Sequence, residues 1–191
     1  MFQISSSYEG PEFEKFKYLK ESLSERDLVD RISNSISMRS AENIDFDIEH
    51  PERDEPKVIF KGACNVSDQI KYVGKSLAIV PMAIFTPPQM SAKHQGLARI
   101  NYPLHKSDTL VYQLSFIDQY LVKLPADVQI ASKYGSYGHR YFMDGNRIVA
   151  ERSFLMHAGN YQAEERKELY AFMEMVANAQ QKSTIVFNPK Q

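Results

Sequence analysis

Cysteine is nearly absent: Cys64 stands alone in 191 residues, so an intrachain disulfide and a thiolate metal cluster are both excluded. An excess of one charge is also missing. Lys and Arg number 23 against 24 Asp and Glu, and a net charge of −1 gives no field to gather nucleic acid or an anionic membrane. No long apolar run occurs, and Met1-Phe2-Gln3-Ile4-Ser5-Ser6-Ser7 lacks a basic start, so neither a membrane span nor a signal peptide is legible. A native start at Met1 would mean a cytoplasmic protein; otherwise the chain is a fragment.

Catalytic motifs are missing as well. There is no Gly-rich phosphate loop, no G-x-S-x-G elbow and no H-E-x-x-H. His50, His94, His105, His139 and His157 form no pair at helical or strand spacing, so no metal is expected, and no cofactor. Cys64 lies among strand signals in Lys61-Gly62-Ala63-Cys64-Asn65-Val66 and reads as a small packing residue. The adjacent acids Glu164 and Glu165 fit a helix start, where carboxylates favour the dipole.

What is present suits a core: 43% of residues are hydrophobic and 12% aromatic. Residues 1–60 hold 8 basic and 14 acidic side chains, against 15 and 10 in residues 61–191, an imbalance read as solvated surface. Phe13, Phe16, Leu19 and Leu23, then Leu28, Val29 and Ile32, recur at helical spacing, with a break near Ser24, whose hydroxyl can cap a new helix. From Ile44 the period becomes two, and Ile44, Phe46 and Ile48 predict a half-buried strand. Residues 50–56, with two prolines, form a surface connection. Short strands are predicted at 58–60, 70–73 and 77–81, punctuated by Gly62, Ser67-Asp68 and Gly74, as a meander.

Residues 86–96 carry many breakers, which places a boundary near 85: a helix-containing β subdomain over 1–85 and a C-terminal β-sandwich domain over 86–191. Strands at 99–103, 109–115 and 120–124 follow, and Asp144-Gly145 marks a tight hairpin within 141–150. A helix over 163–181 shows Leu169, Phe172, Met173 and Val176 on one stripe, and a strand at 183–187 ends at Asn188-Pro189. The expected fold is mainly β with some α: an antiparallel, immunoglobulin-like β-sandwich with an N-terminal helical segment and one C-terminal helix packed on a sheet.

One segment carries a binding hypothesis. Lys133 to Tyr141 gathers rings, a guanidinium and two glycines, and Tyr134, Tyr137, His139 and Arg140 are the candidate residues for stacking on a glycan or gripping a peptide. The competing structural reading makes the tyrosines cross-strand packing and the glycines a bulge or turn.

A family resemblance bears on these alternatives. In order, Leu77-Ala78-Ile79-Val80-Pro81, Arg99-Ile100-Asn101-Tyr102-Pro103, Leu124-Pro125, Tyr134-Gly135-Ser136-Tyr137, Arg152, Tyr161, Leu169-Tyr170-Ala171-Phe172 and Ile185-Val186-Phe187 resemble a C-terminal domain of unknown function, number 3858. That domain follows a transglutaminase-like core in Gram-negative envelope proteins, and residues 11–80 are similar to the joining stretch. The resemblance implies a periplasmic, non-catalytic accessory domain whose partner is the neighbouring core or another envelope protein. The core's Cys, His and Asp have no counterpart here, so no catalytic residue carries over. Two rivals stand beside it: an independent glycan- or peptide-binding module, and a hydrolase with carboxylates assembled in a cleft.

Overall fold

The computed structural model describes residues 1–9, 11–35, 42–49, 57–65, 70–81, 83, 84, 86 and 97–190. Strand β1 (Phe2–Glu9) leads into helices α1 (Pro11–Ser22) and α2 (Glu25–Ser35), then β2 (Glu42–Glu49), β3 (Lys57–Asn65), β4 (Ile70–Val73) and β5 (Ser76–Ile79). Next come β6 (Ala98–Ile100), β7 (Leu104–Gln113), β8 (Tyr120–Lys123), β9 (Val128–Ser132), β10 (Gly135–Asp144) and β11 (Arg147–Met156). The described chain closes with β12 (Gly159–Tyr161), α3 (Arg166–Gln181) and β13 (Ile185–Pro189).

Local chemistry explains several of these boundaries. The Ser24 hydroxyl accepts from the Asp27 N–H at 3.2 Å and donates to the Asp27 carboxylate at 2.6 Å, so α2 starts afresh where the cap was predicted. Gly145, at φ +60°, makes the predicted turn between β10 and β11. The hairpin is longer than expected, because both strands run ten residues.

The fold is mainly antiparallel β, in a sandwich-like arrangement. A seven-stranded sheet in the order β2-β3-β1-β7-β11-β10-β9 faces a layer shared by α1, α3 and a four-stranded sheet in the order β4-β5-β13-β8. Alternation along each strand of the large sheet sends one set of side chains inward. Phe2, Ile4, Phe60, Leu110 and Ile148 pack with Phe13 and Phe16 of α1 and with Leu77, Ile79, Ile185 and Phe187 of the small sheet. Farther along, Tyr137, Phe154 and Met156 pack with Leu169, Phe172, Met173 and Val176, the predicted stripe of α3. Each fully buried side chain of this size contributes about 1.5–3 kcal/mol. Cys64 packs in the first cluster.

Several expectations change. β1 falls where no strand was foreseen, and Gly62 lies inside β3 rather than at its end. β3 and β4 belong to different sheets, so residues 58–80 form no single meander. β13 continues through Asn188 and Pro189, pairing Pro189 with Tyr120. Residues 50–56, Ser67-Asp68 and 87–96, read as connections, lie outside the described residues. Residue 85 does too, and hydrogen-bonded ladders join strands from both sides of it: β1 with β7, and β5 with β13.

Candidate functional site

The two faces of the seven-stranded sheet offer different chemistry. Beneath it, Ser6, Asp108, Arg152 and His139 stand directly opposite one another across β1, β7, β11 and β10, as a polar row running between the two apolar clusters. Arg152 Nε donates to Asp108 Oδ1 at 2.7 Å and a second N–H reaches Oδ2, a bidentate pair with both side chains almost wholly buried. Burial pushes the Asp108 carboxyl above its ordinary value, and the guanidinium opposes that shift. The hydroxyls of Ser6 and Tyr112 are buried without a hydrogen-bond partner among the described residues.

Three of the four candidate residues lie on this inner side. Tyr134, Tyr137 and His139 are 2%, 1% and 2% exposed. His139 Nε2 is 3.0 Å from the Ala126 carbonyl, which only accepts, so Nε2 carries the proton and Nδ1 accepts from the Tyr137 hydroxyl at 2.9 Å. Burial pulls the His139 imidazole below its ordinary value; the Ala126 carbonyl opposes this and Arg152 adds to it. Tyr134 packs edge-on against Tyr161, and its hydroxyl meets Glu168 at 2.9 Å, tying the turn before β10 to α3. Lys133 strengthens that tie through Glu165 at 3.0 Å. Arg140 alone points to the outer side, paired with Glu151 at 2.8 Å and laid over Phe142 at 5.0 Å. The four therefore share no stacking surface: Tyr137, His139 and Arg140 lie in strand β10 and Tyr134 in the turn before it.

The outer face holds a groove of about 600 Å³. Its floor is a cross-strand row of Ile59, Ser7, Ser107, Ser153, Gly138 and Gln129, one residue from each of six neighbouring strands. Ser5, Thr109, Glu151 and Arg140 form the next row. A second hollow of about 360 Å³ shares Ser5 and Thr109 and extends toward Asp45 and Asp47 of β2. Among the described residues, the helices and the four-stranded sheet pack under the opposite face.

The chemistry of the groove is hydrogen bonding. It offers hydroxyls, a carboxamide, an ion pair and, at the β3 end, the Lys57 ammonium. Among the described residues no group of three or more His, Cys, Asp and Glu side chains is placed to hold a metal ion. Sequence reading missed this face because Ser7, Ser107 and Ser153 lie far apart in the chain, and each is an ordinary outward polar residue until the register aligns them.

Neither the curated proteins nor the solved structures contain a match to this chain. Residues 81–187, more than half of the chain, match the family described as a domain of unknown function with solved structure, DUF3858, and the chain belongs to that family.

Proposed function

We propose that this chain is a non-catalytic accessory domain of Gram-negative envelope proteins. It holds a ligand on the face of its large sheet that no described element covers, beside a transglutaminase-like core that performs the chemistry. The supporting observation is the groove: a polar hollow crossing six strands, opposite the face that carries the whole described core. The Asp108 carboxylate beneath it is engaged by Arg152, and the Glu151 carboxylate beside it by Arg140. A periplasmic location and the adjoining core follow from the family resemblance and belong to this proposal.

The test compares turnover by the chain alone, by a transglutaminase-like core alone, and by the two joined in one polypeptide. Activity from the core that rises when the chain is joined is expected, with none from the chain by itself. Turnover by the isolated chain, or a core indifferent to it, contradicts the proposal.

A further inference from the structure

The groove floor is built from side chains that leave room. Ser7, Ser107 and Ser153 are direct cross-strand partners and Gly138 continues their row, at neighbouring-strand spacings of about 4.8 Å. From Ile59 to Gln129 the row spans about 24 Å. Glycine within a strand marks close approach by another group. At Gly138 that group is the Gln129 carboxamide, which lies 2.7 Å from where a Cβ would be. The glycine thus seats an amide able to donate and to accept at one end of the row.

Different ligands make different demands of such a hollow. A polyanion needs several uncommitted cations, but Arg140 is engaged by Glu151 and Phe142 and Lys61 by Glu49 at 2.7 Å, which leaves Lys57 at the β3 end as a single ammonium among the described lining residues. Asp45 and Asp47 border the adjoining hollow and repel negative charge. A peptide adding as a strand needs free backbone groups, yet across the groove floor β1, β7 and β11 pair on both sides and β10 does so as far as His139, which leaves a free edge only at the β9 end. An apolar chain would strip water from three serine hydroxyls without replacing their hydrogen bonds. A neutral ligand with its own hydroxyls, long enough to cross several strands, meets none of these objections.

We infer that the groove binds a neutral carbohydrate chain laid across the strands, with Ser7, Ser107, Ser153 and Gln129 exchanging hydrogen bonds with sugar hydroxyls. This rests on the reading of the outer face as the ligand-holding surface and names the ligand's class. Ile59, half-buried at one end, supplies an apolar contact for a ring face.

Calorimetric titration of the full chain with hexamers of β-1,4-linked glucose and N-acetylglucosamine tests this, beside an uncharged Gly/Ser/Asn hexapeptide and a sulfated polysaccharide. Saturable binding to a neutral hexamer is expected, weakened at least tenfold in S107L/S153L, whose leucines point outward and fill the floor. Leu121→Ser, on the exposed side of the four-stranded sheet, should leave binding unchanged. Binding to neither hexamer, equal binding by S107L/S153L with an unchanged circular-dichroism melt, or preference for the peptide or the polyanion overturns the inference. If the S107L/S153L melt shifts, Gln129→Ala, an exposed position, replaces it with the same expected loss. Chromatography of the titrated sugar separates the two readings. Cleaved hexamer contradicts the non-catalytic role, whereas absent binding contradicts only the carbohydrate assignment.

Discussion

Arg152 and Asp108 neutralise each other under the sheet, and removing either leaves a charge buried without its main counterpart. Arg152→Leu should cost about 3–5 kcal/mol in urea unfolding, and D108L/R152L less than the sum of the two single changes. His139 makes a different prediction. Its folded imidazole titrates below the ordinary value of about 6.5, so as pH falls through that value the unfolded chain takes up a proton that the folded chain refuses. Stability should fall with it, by at most about 1.4 kcal/mol per pH unit from this group. His139→Gln should flatten that slope between pH 7.5 and 5; equal slopes would mean the buried ring is not neutral. From sequence, Tyr137 and His139 were legible only as two opposed alternatives. Alternation of residue type cannot say which side of a strand is buried when both sides carry polar groups.

Helices and turns were the easiest elements to foresee, because caps and turn glycines act over three or four residues. Ser24→Ala should weaken the protein by about 1 kcal/mol, seen as a lowered urea midpoint. Two turn glycines should behave unequally. At Gly145 a Cβ meets nothing within 4 Å, and Gly145→Ala should cost about 1–2 kcal/mol for its positive φ alone. At Gly135 a Cβ would sit 2.0 Å from the Leu155 carbonyl oxygen, so Gly135→Ala should cost about 2–4 kcal/mol, because the β10–β11 ladder must part to admit it. Comparable losses at both sites would show that close approach is not what fixes Gly135. Strand β1 was missed for a physical reason: its inward positions read Phe2, Ile4, Ser6 and Tyr8, and the buried serine breaks the apolar alternation at the point where the polar row crosses.

Across the whole molecule, the deciding information is pairing between distant strands. The boundary expected near residue 85 follows composition, whereas the ladders β1–β7 and β5–β13 bind the two sides together. Phe60→Leu and Phe172→Leu, one on each side, should therefore shift a single calorimetric transition; two separable transitions would contradict that coupling. The same long-range register creates the groove, and no local window of sequence contains more than one of its three serines. The most direct measurement takes the chain joined to a transglutaminase-like core, the partner proposed for it, with and without S107L/S153L, and follows kcat/KM. A groove that holds the ligand for the core predicts at least a tenfold loss with the melting temperature retained, and an unchanged kcat/KM would contradict it.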